Sequence, residues 1–307
     1  MNRPRPEIER AMQFVVEHLE RRFTVADVAR AIGLSEFHLH RSFHAAVGES
    51  IGSFVTRKRL EHAALRLAYE PETPITTIAL ESGYSSSSNF SKAFSGFFGC
   101  SPSRVRTPTG ALAAAVAKIV AEYGKDFRPE QLYTVPPEPD PDALREVVAY
   151  WNARVRFVDA PGCSFACLAS PRGYDLEAIE ATWGELIQRA TQLGLCGDEV
   201  DAWSMAYDSP ELTAPERCRY HACIPCAPER RLAAPLFAGH MKPGRYAVFD
   251  FAGAPTQVGA AYRSIYSCWF RESSVVPEDF TPLDHYIHDG PRDGRVALEM
   301  WFRIRPR

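Results

Sequence analysis

Apolar residues in the first 70 positions recur at the three- and four-residue spacing of amphipathic helices. Thr24 followed by Asp27 is typical of a capping box that opens a second helix, and Gly33 ends that helix. Ser35 suits the N-cap of a third helix, which Gly48 ends, and a helix of about 20 residues follows. The apolar positions are Ile8, Met12, Val15, Val16, Leu19, Leu39, Phe43, Ile51, Phe54, Val55, Leu60, Ala64 and Leu67. The pattern predicts an all-α first part.

The second and third helices have a second copy about 50 positions further along the chain. Each copy combines a small residue on one helix, a glycine turn, a serine cap and a second helix with apolar and basic positions. This is how a helix-turn-helix unit is built. The joining helix, roughly 30 Å long, would set two recognition helices at about the 34 Å separation of successive major-groove faces. The matching positions are Ala29, Gly33, Ser35, Arg41 and Phe43, and Ala79, Gly83, Ser85, Lys92 and Phe94.

The later part of the chain alternates strand-like and helix-like stretches. The order strand, helix, strand, strand occurs twice, which predicts an α+β domain of two pseudo-symmetric β-α-β-β repeats. Predicted strands are 155–159, 203–208, 219–224, 245–251, 284–288 and 296–304, and predicted helices are 176–193 and 256–270. A proline-rich run at 136–142 and a helix at 111–123 separate the parts. We therefore predict a multidomain chain with domains at 1–110 and 151–307, joined by 111–150.

Charge divides the chain in the same way. The net charge of −3 combines a first part, residues 1–110, with 14 basic and 11 acidic residues and a remainder with net charge −6. A basic domain joined to an acidic one is consistent with binding a polyanion. No apolar run is long enough to span a membrane, and the N-terminus lacks a signal peptide, so we expect a cytoplasmic protein. Its eight cysteines are then expected as free thiols.

Only Cys223 and Cys226 have a metal-like spacing, with Cys218 and His221 nearby. Buried small residues on a strand explain these cysteines better than a zinc site does. We therefore predict no metal and no cofactor.

Residues 7–107 resemble the DNA-binding domain of the AraC/XylS family of transcription regulators. The second copy carries the motif, with Ile78 to Tyr84, Asn89 to Phe94 and Gly99 to Pro102, although Lys92 replaces the usual arginine. The resemblance implies a homeodomain-like double helix-turn-helix that binds double-stranded DNA. The implied base-facing residues are Phe37, His40 and Arg41 in the first recognition helix and Ser87, Ser88, Asn89 and Lys92 in the second. Alternatively, Phe37 belongs to the core and the serines only cap.

Residues 151–307 resemble the GyrI-like effector-binding domain, through Thr182 to Leu186, Tyr220 to Pro225, Pro243 to Val248 and Leu298 to Phe302. In that family a small molecule, often an aromatic cation, lies between the two halves against a glutamate on the last strand. Glu299 matches that glutamate, and Arg303 replaces the usual proline. The implied pocket residues are Glu299, Trp301, Trp183, Tyr207, Phe249 and His221. A solvated polar sheet face is the alternative interpretation of the last strand.

The two resemblances together predict a ligand-responsive transcription regulator. The combination is similar to that of the right origin-binding protein group, which implies DNA binding as a monomer, a small-molecule effector and RNA polymerase as a further candidate partner. We predict no catalytic residues. The alternative is that the GyrI-like domain hydrolyses small electrophilic compounds with Glu299 as general base. A third hypothesis gives that domain a protein partner only.

Overall fold

The computed structural model describes residues 5–70, 72–105, 141–196, 199–209, 212–213, 218–287 and 295–307. The chain divides into two compact units, which we call the first and the second domain. The first comprises Met1–Glu138 with Pro210–Ala214, and the second comprises Pro139–Ser209 with Pro215–Arg307. The helix predicted at 111–123 lies outside the described residues.

The first helix-turn-helix begins after an N-terminal helix, α1 (Pro6–Glu17), and consists of α2 (Val25–Ile32) and α3 (Glu36–Val47). The Thr24 side chain accepts from the Asp27 backbone N–H, and the Asp27 carboxylate accepts from the Thr24 N–H, so the predicted capping box is present. Gly33 ends α2 with φ +75°, a left-handed conformation that glycine adopts without a steric penalty. Local signals therefore fix this part of the fold.

The second helix-turn-helix repeats the first. A long helix, α4 (Ile51–Tyr69), leads to α5 (Ile75–Glu81), α6 (Ser87–Phe98) and the short α7 (Pro102–Val105). Gly83 stands in the turn with φ +79°, as Gly33 does in the first copy. The N-cap of α6 is Ser86, whose hydroxyl accepts from the Asn89 N–H, and not Ser85 as the repeat predicts. Each copy has its own apolar core, and the two cores are joined through α4.

The second domain begins with α8 (Pro141–Asn152), a helix in the segment predicted to be linker. Trp151 on α8 is buried in the core of this domain, so residues 141–150 pack with the second domain. The other helices are α9 (Leu176–Gln192), α10 (Val258–Ser264) and α11 (Phe270–Glu272), with a 3-10 turn before α10 and a π turn between α10 and α11. The described strands are β1 (Val155–Ala160), β2 (Cys163–Ala169), β3 (Ala202–Ala206), β4 (Tyr220–Pro225), β5 (Phe237–Met241), β6 (Gly244–Gly253), β7 (Val275–Pro277), β8 (Leu283–Tyr286) and β9 (Val296–Pro306).

The strands form an antiparallel sheet in the order β1-β6-β9-β8-β3-β4-β2-β5, and β7 pairs with β9. The central part repeats as β2-α9-β3-β4 and β6-α10-β8-β9, which confirms the two pseudo-symmetric halves. The first strand of the first half is β2 and not the predicted 155–159, because β1 pairs with β6 in the other half. Strands β2, β5 and β7 are absent from the sequence prediction.

The two faces of this sheet differ. One face packs against the helices, with Leu168 and Ala222 under α9, and Met300 and Phe302 under the segment from α10 to α11. The opposite face is also buried over much of its area, as at Cys167. Only two residues separate β5, at one end of the sheet, from β6, next to the other end. The sheet must therefore curl, which encloses part of its own second face.

Candidate DNA-reading helices and ligand-binding domain

The first recognition helix, α3, exposes the three residues that the sequence assigned to DNA. Leu39 and Phe43 are fully buried in the first core, while Phe37, His40 and Arg41 are exposed on the other side of the helix. Phe37 is 74% exposed, so it is not a core residue. The Arg41 guanidinium lies over the Phe37 ring, 5.4 Å from its centroid. An exposed aromatic ring beside an arginine has the composition that is enriched at binding surfaces.

His44 is a residue of this surface that the sequence analysis missed. It is exposed one turn beyond Arg41 and seven positions after Phe37, so it extends the same side of α3. The signal was present in the sequence, because positions 37, 40, 41 and 44 have the spacing of one helix face.

The second recognition helix, α6, exposes Ser88, Asn89 and Lys92, while Ser87 is half-buried. Its apolar positions, Phe90 and Phe94 among them, are buried in the second core. Within the part of the chain that the structure describes, neither Arg41 nor Lys92 forms an ion pair. Each recognition helix therefore presents one cationic side chain that no carboxylate neutralises by direct contact.

The serines before Asn89 have different structural tasks. Ser86 caps the helix, and the Ser85 hydroxyl accepts a hydrogen bond from the Asn89 side-chain amide at 2.9 Å. That bond uses one of the two amide hydrogens and leaves the second hydrogen and the carbonyl oxygen available. These are the groups with which asparagine binds an adenine edge. Ser85 thus orients the side chain of Asn89.

The six residues predicted to form one ligand pocket do not come together. Glu299, Trp301, Tyr207 and His221 lie on the sheet face opposite the helices, and His221 is almost completely buried there. Phe249 pairs with Met300 and belongs to the helix-side core, in edge contact with Trp269 and Phe302. Trp183 lies on α9 and contacts the helix face through Tyr220. The structure therefore distributes these six residues over both faces of the sheet.

Glu299 is the centre of a charged cluster on the face away from the helices. It accepts from Trp301 Nε1 at 3.1 Å, lies 3.1 Å from His285 Nδ1, and forms an ion pair with Arg156. The hydrogen bond with His285 is the largest of the causes that lower the pKa of Glu299 to about 2, and Arg156 adds to it. Glu299 also borders an open cleft of about 650 Å³, which Arg154 and Arg295 line as well.

A different carboxylate lies beneath the helices. Asp284 on β8 is buried between the two halves, where it accepts from the Tyr262 hydroxyl of α10 at 2.6 Å and from the Ser204 hydroxyl at 3.3 Å. Burial raises the pKa of Asp284 to about 6, against the opposing effect of these two hydrogen bonds. The sequence placed residue 284 on a strand but gave it no role.

Aromatic hydroxyls extend this cluster towards α9. Trp183 Nε1 donates to the Tyr220 hydroxyl at 2.8 Å, and the hydroxyls of Tyr220 and Tyr286 lie 3.0 Å apart. Burial raises the pKa of Tyr286 to about 12, so this phenol stays neutral. We call the set Trp183, Ser204, Tyr220, Tyr262, Asp284 and Tyr286 the interhelix cluster. It joins the helix of one half to the helix of the other across the sheet and places Tyr262 and Tyr286 next to one carboxyl group.

The cysteines provide no metal site in the regions described. Cys167 and Cys223 are both buried, with their sulfur atoms 3.2 Å apart, and remain free thiols. No group of three or more metal-ligating side chains occurs among the described residues. None of the described helices combines the length and the apolar character that a membrane span requires.

Fold and sites together define a class of protein: a double helix-turn-helix domain joined to an α+β domain with a buried, aromatic-lined carboxyl group. Comparison with known families agrees with both parts. Residues 28–107 match the model of a helix-turn-helix domain, and residues 152–305 match the GyrI-like small molecule binding domain. The chain therefore belongs to the GyrI-like family in its second domain and to the AraC-type helix-turn-helix family in its first.

Individual relatives match the first domain. An uncharacterized HTH-type transcriptional regulator of Staphylococcus aureus is 31% identical over 99 residues, which are 32% of this chain and 13% of that relative. The chain thus spans a small part of the length of such relatives. Regulatory protein SoxS of Salmonella typhimurium is 31% identical over 99 residues, which cover 92% of SoxS.

Two solved structures show the same match. The C-terminal domain of AraT from Geobacillus stearothermophilus has 33% identity and a TM-score of 0.33, covering 34% of this chain and 87% of that one. The DNA-binding domain of AdpA in complex with a target DNA has 22% identity and a TM-score of 0.30, covering 38% and 95%.

Proposed function

We propose that this protein is a sequence-specific, DNA-binding transcription regulator whose activity a small molecule modulates. The observation that carries the proposal is the exposure of α3 and α6: each buries its apolar side and presents polar, basic and aromatic side chains to solvent. Two such helices on one polypeptide suit two neighbouring segments of the major groove.

The exposed side chains match the edges of base pairs. Arg41 has the two parallel donors that bind the O6 and N7 atoms of guanine, and Phe37 suits the methyl group of thymine. Asn89, oriented by Ser85, suits adenine. Lys92 supplies a point charge in place of an arginine fork, so it contributes affinity more than discrimination.

The length of α4 supports binding by a single chain. Its 19 residues span about 28 Å, which is close to the repeat of the major groove along one side of B-DNA. One chain therefore carries both readers that a two-part site needs. We propose that it binds such a site as a monomer.

The interhelix cluster is the proposed effector site. A buried carboxyl group with a raised pKa is stabilised in its ionised form by a bound cation, and aromatic rings such as Trp183 add cation–π attraction. The cleft beside Glu299 suits a cation less, because Arg156 already pairs with Glu299 and two more arginines line the cleft. We therefore propose a cationic aromatic effector near Asp284, which changes the affinity for DNA or the contact with RNA polymerase.

The enzymatic alternative has less support. A general base at neutral pH works best with a pKa near the working pH, and Glu299 has a pKa of about 2. Turnover of small electrophiles that is lost in Glu299→Gln would restore this alternative.

Binding-site selection from random duplexes tests the proposal. The full chain is expected to select a two-part motif, and a panel of cationic aromatics is expected to change the affinity for that motif. Asp284→Asn should remove the effect of the panel and leave the selected motif unchanged. The absence of any preferred duplex at moderate salt would contradict the proposal.

A further inference from the structure

The two recognition helices belong to two separate cores that share one helix. Ile51 and Phe54, near the start of α4, are buried in the first core, whereas Leu60, Ala64 and Leu67 are buried in the second. A helix that joins two cores fixes their distance through its length. Their relative rotation depends on side chains that contact both sides.

Arg59, in the middle of α4, contacts the first side. Its Nη2 donates to the backbone carbonyl of Arg21 at 2.7 Å, across 38 positions of sequence. Its guanidinium also lies over the Phe23 ring, 5.1 Å from the centroid. Arg21 and Phe23 stand in the segment between α1 and α2, directly before the first helix-turn-helix.

The same guanidinium contacts the turn of the second helix-turn-helix. A Cβ atom at Gly83 would lie 2.8 Å from Arg59 Cζ and 3.0 Å from Nε, so the glycine lets the guanidinium lie directly against the turn. Arg59 Nε is buried there without a hydrogen-bond partner. Desolvation lowers the pKa of Arg59, as expected for a guanidinium packed against two segments of protein.

We infer that Arg59 is a positioning residue that holds the two helix-turn-helix units at one relative rotation, and so fixes the number of base pairs required between the two half-sites. This inference rests on the proposed DNA-binding function. One added base pair rotates a half-site by about 34° and shifts it by about 3.4 Å. A rigid pair of readers cannot follow that rotation without losing contacts, whereas a loosely joined pair can.

The experiment uses the full chain and the duplex that it selects from random sequence. Affinities are measured for that duplex and for two versions with one base pair added or removed between the half-sites. Wild type is expected to bind the altered duplexes more weakly by on the order of tenfold. Arg59→Ala is expected to bind all three within about threefold, with the loss confined to the original spacing.

Two further variants separate this role from charge and from folding. Arg59→Lys keeps the charge, but one ammonium group cannot bind the Arg21 carbonyl and cover Gly83 together, so it should also lose the spacing preference. Arg10→Ala removes an exposed arginine from α1 and should keep that preference. Circular dichroism checks that each variant is folded. If Arg59→Ala does not fold, the spacing preference of Arg59→Lys tests the role of Arg59.

The outcomes are distinct. A wild-type protein that selects no duplex refutes the proposed function. A wild-type protein that discriminates spacing, together with a folded Arg59 variant that discriminates equally well, refutes the role of Arg59 alone.

Discussion

Replacing Asp284 with asparagine tests the buried carboxyl group of the interhelix cluster. Its pKa is about 6 in the folded protein, against 3.8 for an ordinary aspartate. A difference of that size corresponds to about 3 kcal/mol between the protonated and the ionised forms. Between these pH values the folded protein binds more protons than the unfolded chain, so its stability falls as the pH rises from about 4 to 6. Above pH 6 the full free-energy cost of burying the ionised Asp284 carboxylate is present.

Asparagine removes the charge and keeps the hydrogen bonds, because its carbonyl oxygen accepts from Tyr262 and its amide can donate to the oxygen of Ser204. Above pH 6, the free energy of unfolding of Asp284→Asn is therefore expected to exceed that of wild type by up to about 3 kcal/mol. The advantage should shrink as the pH falls and vanish below about 4.

Urea unfolding followed by tryptophan fluorescence measures this difference, since all five tryptophans lie in the second domain. Asp159→Asn is the matched control, because Asp159 is an exposed aspartate on β1. That variant should differ from wild type in free energy of unfolding by less than about 0.5 kcal/mol. If the free energies of unfolding of wild type and Asp284→Asn changed with pH in parallel, the reasoning would be refuted. Lower stability of Asp284→Asn at every pH would refute it as well.

Three further changes have defined outcomes. Arg41→Ala should cost roughly 1–3 kcal/mol of DNA-binding free energy and relax one base position, and an unchanged selected motif would contradict its role. Thr24→Ala removes the capping box and should destabilise the first domain by about 0.5–2 kcal/mol in thermal unfolding, whereas Thr24→Ser should not. Glu299, with its pKa lowered to about 2, contributes stability above pH 4.5 that is lost as the pH falls towards 2. Between pH 4.5 and 2, the free energy of unfolding of Glu299→Gln should fall less than that of wild type. An equal fall would count against the charged cluster around Glu299.

The first domain could be predicted from sequence almost completely, because its signals are local. Caps, glycine turns and helical spacing depend on residues within a few positions of each other, and the repeat confirms each one independently. The error at Ser85 has a physical reason: four consecutive serines are all competent caps, and the choice of Ser86 depends on where the turn after Gly83 ends.

Strand β2 escaped prediction because both of its faces meet protein. Phe165 and Cys167 fill the enclosed side of the curled sheet, and Ala166 and Leu168 lie on the helix side. Such a strand lacks the alternation of apolar and polar residues that marks a half-solvated one. Curling depends on pairing between distant parts of the chain, such as β1 with β6, so no local pattern reports it.

The same long-range effect explains why the residues predicted to line one pocket lie on both faces of the sheet. Alternation along β9 correctly separates Met300 from Glu299, but it does not tell which face holds the ligand groove. The sequence analysis assigned the ligand to the polar face, whereas the effector site proposed above lies on the apolar face, beneath the helices. The register places the polar side chain of Asp284 on that apolar face, beside Met300 and Ser204. The buried carboxyl group is therefore a property of the pairing of the two halves, because its hydrogen-bond donors come from both: Ser204 stands on β3 of the first half and Tyr262 on α10 of the second.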